Sequence, residues 1–391
     1  MPPQKRKNLT LNYTLQQSAY WAAAAGLVSF ATAFLLEKGF SPSQVGILLA
    51  CGNLLSCAFQ PIIAGKADRI GGNVLNILML VLSTICFGFL CIIQFIPVPQ
   101  WLYGLSYLMA VFSFDAMTPL LNAICVAYKK QGNGINYGIG RGIGSLAYSF
   151  AALGIGKAIA GLGADSMVWI VLALLVFNIV ITLRYPRIHI PGAAEKSADG
   201  DDCCSAAEFF LRYKWYCVSL VGVMLLAMFH AMTENYMIEI AGRLGGDSSS
   251  VGIALFVATS IEAVVIIFFE KIRSYISDNW LLRLAGLSFL LKSVLLLLAP
   301  SVKAIYFIQL LQATSYSFLS PTQMYFANTK VRPADMVKGQ AFITAAYSLG
   351  CAIGNFTGGQ LLQLFNVTTI LIAGIVMAAA GTAILFASVD K

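Results

Sequence analysis

Seven ionisable side chains interrupt long apolar runs of this chain: Asp115, Arg141, Lys157, His230, Glu234, Glu262 and Lys292. A charge at the centre of a hydrocarbon layer costs about 2.5 to 3.5 kcal/mol, so each such group needs a partner, a wet cavity or a role. Both signs are present, and pairing is therefore open to them. Glu262, flanked by Ile261, Ala263, Val264 and Val265, is the first candidate for a carboxyl that exchanges a proton. A fixed ion pair with Arg141 or Lys292 is the alternative, and each role fits a different conformation of one molecule.

Asp115 precedes Pro119, whose missing N–H frees a backbone carbonyl to line a cavity, and it is a second candidate for titration or for solute binding; an acid hydrogen-bonded to a neighbouring helix is the structural reading. His230 and Glu234 are four residues apart and so share one helix face, with Asn235 and Tyr236 beside them. A histidine there can relay protons or simply fill a satisfied structural position. Lys157, among Gly154, Gly156 and Gly161, reads as a side chain reaching out to the interface. Gln16, Gln17, Tyr20, Gln312, Gln323, Asn328, Gln340 and Asn355 can hydrogen-bond a polyhydroxylated ligand or hold helices together. Trp21 can stack on a sugar or nucleobase, or sit in an interfacial belt. Neither a P-loop nor H-E-x-x-H nor G-x-S-x-G occurs, which disfavours ATP hydrolysis and enzymatic catalysis. The nine cysteines form no C-x-x-C or Cys/His set, so neither a metal nor a cofactor is expected.

What positions these groups is a membrane fold. Hydrophobic residues make up 59% of the 391 and charged ones 11%, against roughly 45 to 50% and about 25% in soluble domains. A span takes about 20 apolar residues, so the chain has room for about a dozen. Apolar runs predict helices over 12–36, 43–64, 74–96, 100–127, 139–162 and 165–184, then 214–240, 249–270, 280–299, 303–328, 338–364 and 368–388. The expected fold is thus an all-α membrane protein of twelve transmembrane helices in two six-helix bundles, 1–185 and 209–391. The polar stretch 186–208 is the loop joining them.

Loop cations fix an expected orientation. With the N-terminus inside, Lys5, Arg6, Lys7, Lys66, Arg69, Lys129 and Lys130 and most later ones fall on the cytoplasmic side, and only Lys38, Arg243 and Lys303 fall outside. Both termini and the central loop are then cytoplasmic. The net charge of +8 is spread over these loops and forms no nucleic-acid patch. Two glycine-, alanine- and serine-rich stretches, Tyr137 to Gly161 and Lys338 to Leu362, occupy corresponding positions in the halves and point to pseudo-symmetry.

Gly65-Lys66-Ala67-Asp68-Arg69-Ile70-Gly71-Gly72 resembles the G-x-x-x-D-R-x-G loop that lies between the second and third helices of the major facilitator superfamily. The resemblance implies the major facilitator fold and a conformational latch at Gly65, Asp68 and Arg69. Tyr137 to Ser145 is similar to the start of helix five in the oligosaccharide:proton symporter, lactose-permease-like branch, which implies that Arg141 binds substrate. Pro119 to Ala123 looks like the segment that holds its carboxylate partner, with Asn122 at the acid's place. Glu234-Asn235-Tyr236, Glu262 and Lys292 resemble the same branch, while helix ten offers Pro321, Thr322, Gln323, Tyr325 and Asn328 where that branch carries Lys, His and Glu.

Together these imply a secondary transporter, not an enzyme, that carries a small hydrophilic solute, sugar or nucleoside, with protons or sodium as the coupling ion. Arg141, Asn122, Trp21, Asn235, Gln323 and Lys292 are the candidate substrate ligands, and Glu262, Asp115, His230 and Glu234 the candidate coupling groups. The expected setting is the plasma membrane, as a bacterial inner-membrane monomer. The other readings are a proton-driven exporter of amphipathic compounds and a receptor or scaffold that kept the fold without transport.

Overall fold

Apolar runs of span length become helices here, and prolines, glycines and short polar turns end them. The computed structural model describes residues 3–70, 74–130, 135, 137–185, 206–332 and 335–390, with side chains left out of the account at 3–8, 61–70, 126, 127, 129, 130, 137, 138, 206, 207 and 337. Among the described residues there is no strand. We number the spans α1 (Pro3–Ala24, Ala25–Ser29 and Ala31–Glu37), α2 (Pro42–Ile70), α3 (Val74–Phe95), α4 (Gln100–Asp115 and Thr118–Lys130), α5 (Tyr137–Leu162) and α6 (Asp165–Leu183). The second set is α7 (Lys214–Asn235 and Met237–Gly242), α8 (Ser248–Ile267), α9 (Asp278–Leu298), α10 (Val302–Ile308, Gln309–Ala313 and Tyr316–Lys330), α11 (Met336–Leu364) and α12 (Val367–Ser388).

Nine of these are straight enough and apolar enough to cross a bilayer on length and hydropathy alone, and α1 crosses as a pair bent by 47°. Of the other two, α10 is broken into segments of 7, 5 and 15 residues and α11 is diluted by polar and small residues, yet both complete the twelve. Breaks fall where the backbone loses a donor or tolerates a turn. α1 passes through a π-helical turn at Ala25–Ser29. Pro119 sits in the first turn of the second half of α4, where its missing N–H costs nothing. α10 contains a 3₁₀ segment, Gln309–Ala313, followed by Pro321 inside its last helix. At the end of α1, Gly39 takes φ 83°, and the reversed bonds Gly39 N to Leu36 O and Phe40 N to Leu35 O close the helix, a conformation that costs a Cβ-bearing residue more.

Two compact units result: Met1–Phe40 with Leu54–Lys196, and Ser41–Asn53 with Ser197–Lys391. In the first, α1 packs on α5 and α6, and α3 packs on the first half of α4 and on α6. In the second, α7 packs on α11 and α12, and α9 packs on the last helix of α10 and on α12. The second pattern is the first with every number raised by six, so the two bundles repeat one packing plan. The glycine-rich stretches are α5 and α11, the equivalent helices. A Cβ on Gly140 or Gly144 of α5 would meet Tyr13 or Trp21 of α1 at 2.5 and 2.9 Å. One on Gly354 or Gly358 of α11 would meet Met228 O or the Tyr236 ring of α7 at 2.5 and 2.7 Å. Small residues allow these approaches in an apolar medium, where packing rather than hydrophobic exclusion holds helices together.

Candidate functional site

In the first unit, three residues four apart on α1 form a ladder. Gln17 Nε2 donates to Tyr13 OH at 2.7 Å, and Trp21 Nε1 donates to Gln17 Oε1 at 2.9 Å. The space for these rings is what Gly140 and Gly144 leave open. Arg141, between those two glycines, lays its guanidinium over the Trp21 ring at 4.0 Å from the centroid and donates to Ser145 Oγ one turn further on. A π face and a hydroxyl therefore hold this cation, and the π contact is worth about 0.5 to 2 kcal/mol depending on desolvation. Beside it Tyr20 stacks on Phe114 with centroids 4.4 Å apart, and its hydroxyl meets Thr118 Oγ1 at 2.6 Å.

Asp115 ends the first half of α4. Ser56 Oγ donates to its Oδ2 at 3.3 Å, and Gln60 Nε2 donates to its backbone carbonyl at 3.4 Å. Asn122 is exposed on the second half of α4, and Lys157 is exposed toward the end of α5, as a side chain reaching the interface would be. The expected latch at Gly65, Asp68 and Arg69 lies outside the described residues beyond its backbone, and residues 71–73, with 186–205 of the central loop, lie outside them entirely.

The second unit holds an acid-base cluster. Lys292 is wholly buried on α9; its Nζ lies 3.5 Å from Glu234 Oε1 on α7 and donates to Gln312 Oε1 at 2.9 Å. Gln312 in turn donates from Nε2 to Glu262 Oε2 on α8 at 3.4 Å. Of the two ion pairs expected for Glu262, the one with Lys292 thus takes an indirect form: Gln312 stands between them, while Glu234 makes the direct pair. The 3₁₀ segment of α10 is what brings Gln312 here, packed against α8. Fully ionised, Glu234, Glu262 and Lys292 sum to one negative charge.

His230 lies one turn before Glu234, its ring stacked on Tyr316 at 4.8 Å and edge-on to Phe289 at 5.9 Å. Among the described residues its Nδ1 is buried without a hydrogen-bond partner, as are Gln323 Oε1 and Thr322 Oγ1 on α10. Asn235 donates to Asn355 Oδ1 at 2.7 Å and Tyr236 OH to Asn355 O at 2.9 Å, so both join α7 to α11. Asn235 is thereby engaged in helix packing in this conformation. Tyr13 and Tyr316 were not apparent as site residues from sequence; the four-residue spacing of Tyr13, Gln17 and Trp21 is the signal for the first, and the second carries none beyond lying on α10.

The sequence model of the MFS_1 like family matches residues 13–373. No curated protein sequence matches significantly. Among solved structures, the nucleoside transporter NupG is similar at 15% identity and a TM-score of 0.80, over 98% of each chain. A mutant of the same transporter reaches 0.82 over 98% of this chain and 99% of that one, again at 15% identity. A bacterial homologue of the human lysosomal transporter Spinster reaches 0.73, at 15% identity, over 100% of this chain and 98% of its own. At such identities these likenesses speak for the fold, twelve helices in two bundles. With the family model spanning nearly its whole length, the chain belongs to the MFS_1 like family, within the major facilitator superfamily of membrane transporters.

Proposed function

We propose that the protein is a proton-coupled symporter of a small hydrophilic solute, a sugar or a nucleoside, working by alternating access. The observation that carries this is the set Glu234, Lys292, Gln312 and Glu262, in which the lysine and glutamine are buried and the two glutamates half-buried. Its charge is odd by one, so a single proton, on either carboxyl or on His230, neutralises it. A buried net charge is expensive and a neutral cluster is cheap, so loading and unloading that proton biases a two-state carrier. The nucleoside option draws support from NupG, named as a nucleoside transporter.

Arg141 and Trp21 supply a donor fork and a stacking face for the solute, with Asn122 and Gln323 as further hydrogen-bonding candidates. In this reading Glu262 is the leading coupling acid, with Glu234, His230 and Asp115 as the other groups. Gly65, Asp68 and Arg69 act as the latch, 186–208 joins halves 1–185 and 209–391, and the protein works as a monomer in a plasma membrane with both termini cytoplasmic.

The test is uptake of labelled sugars and nucleosides into vesicles with an imposed inward proton gradient. Gradient-driven accumulation of one panel member, abolished by Glu262→Gln, is the expected result. Accumulation that survives the substitution moves coupling to Asp115 or His230. Failure of every panel member, with efflux of amphipathic dyes instead, overturns the uptake reading.

A further inference from the structure

At the end of the second unit where α7 begins, a cavity of about 180 Å³ is lined by Arg212, Lys214, Trp215, Lys330 and Ser388 among others, and no acidic residue belongs to its described lining. Its electrostatics are unbalanced. Arg212 is held by Glu208 at 2.6 Å and lies 3.8 Å from Asp335, which Arg332 also meets at 3.2 Å. Those two acids offset the two arginines. Lys214 and Lys330 take part in no ion pair among the described residues and instead lean over the Trp215 and Phe326 rings at 5.8 and 5.6 Å. Asp390, the acid that acts on Lys330, is already paired with Arg283, so two positive charges are left over at one cavity.

Lys214 is moreover the first residue of a 22-residue helix whose N-cap, Tyr213, provides no side-chain cap. A cation is unfavourable at that end of a helix, and an anion is favourable there. The cavity also opens onto a surface made for hydrocarbon. Leu211 is 81% exposed, and Trp215, Val218 and Val221 follow one another at three-residue spacing along α7, with Val218 and Val221 exposed. A tryptophan at the boundary of a span, next to basic residues and above a bare aliphatic stripe, is the arrangement that holds a headgroup and its chain together.

We propose that this cavity binds the phosphate headgroup of an anionic phospholipid, with Lys214 and Lys330 as its charge partners, Trp215 at the glycerol level and an acyl chain along Val218 and Val221. Neither the solute site nor the proton cluster is involved. The negative headgroup completes the charge balance that the protein leaves open, and ties the start of α7 to the last helix of α10 through Lys330.

The experiment is native mass spectrometry and thermal unfolding of the full chain, delipidated and then titrated with phosphatidylglycerol, phosphatidylcholine or inorganic phosphate. Wild type is expected to retain phosphatidylglycerol and gain thermal stability from it, and phosphatidylcholine to do neither. The double variant Lys214→Gln, Lys330→Gln is expected to need roughly tenfold more phosphatidylglycerol or beyond. A control with the same loss of charge at exposed sites elsewhere, Lys271→Gln with Lys303→Gln, is expected to behave as wild type. Equal retention by both double variants overturns the site. Protection by millimolar phosphate with no preference between the lipids overturns the lipid and leaves a free anion as occupant.

Discussion

The two bundles share a packing plan and handle their charged residues in opposite ways. In the first, Arg141 rests on an aromatic ring and a hydroxyl, and Asp115 takes a hydroxyl and lends its carbonyl to an amide. In the second, a fully buried lysine draws one glutamate directly and another through a glutamine. Neutral π and hydroxyl partners leave a cation's remaining donors free for a guest, whereas a closed acid-base set responds chiefly to a change in its own proton count. One fold repeated twice thus carries what we read as a recognition half and a coupling half.

The largest effect expected from breaking this comparison is at Lys292. Lys292→Met leaves two carboxylates in the buried cluster without their cation, and removing one partner of a buried pair costs about 3 to 5 kcal/mol. Denaturant titration in micelles should show that loss, and the double variant Lys292→Met, Glu234→Gln should recover most of it. Arg141→Met, whose cation has only π and hydroxyl partners to abandon among the described residues, should cost far less stability. Equal losses would erase the distinction between the halves. Next in size is Glu262→Gln, which is expected to lower gradient-driven accumulation at least tenfold while leaving solute exchange across the membrane in place. Loss of exchange as well would make Glu262 a binding residue.

Much of the fold is legible in the sequence because bilayer thickness fixes the length of a span, and many described helix ends lie close to those the apolar runs mark, as at Val74–Phe95 and Val367–Ser388. α1 starts earlier, at Pro3, and α2 runs on to Ile70, where polar residues extend the helix beyond the apolar run. α10 and α11 are marked by weaker apolar runs than the other spans, since Gln309, Gln312, Thr322, Gln323 and Asn355 dilute their hydropathy. The candidate site is legible in its residues but not in its pairings. That Glu262, Glu234 and Lys292 belong together follows from the expense of buried charge. Which glutamate takes the lysine directly depends on the 3₁₀ turn that swings Gln312 between them, and no residue pattern announces that turn. The stacking of Arg141 on Trp21 likewise depends on Gly140 and Gly144 giving way to α1, a long-range fit between two helices far apart in sequence.

Of intermediate size is the π contact. Trp21→Leu removes the ring under Arg141, a contact of about 0.5 to 2 kcal/mol, and should weaken solute binding by about tenfold in equilibrium titration. Tyr316→Leu, which removes the ring stacked on His230 in the other half, should leave affinity within about twofold and alter the pH profile of uptake instead. If both substitutions shift affinity alike, recognition is shared by the two bundles.

The smallest effect tests how each half anchors a helix start. α8, which carries Glu262, begins with a reciprocal cap in which Asp247 accepts from the Ser250 amide at 2.9 Å and Ser250 Oγ accepts from the Asp247 amide at 3.3 Å. In the first half the start of α6 is held instead by Glu37 from the end of α1, which accepts from the Ala164 amide at 3.1 Å, and by the Lys38–Asp165 pair at 2.6 Å. The Ser250 amide, ahead of the Ser250 hydroxyl, holds the Asp247 carboxyl below the usual carboxylate range. A carboxyl so lowered contributes stability above its unfolded value, near 3.9, and that contribution is lost as pH falls through the folded value beneath it. Asp247→Ala should therefore cost about 1 kcal/mol at pH 7 and progressively less as pH falls below about 4, whereas Asp247→Asn, which keeps an acceptor without the charge, should cost less than Asp247→Ala at pH 7 and converge on wild type as pH falls. Thermal unfolding of the three proteins across that range reads the difference directly. A cost for Asp247→Ala that does not change with pH would mean that the cap works through shape alone and that the charge on Asp247 contributes nothing to seating the Glu262 helix.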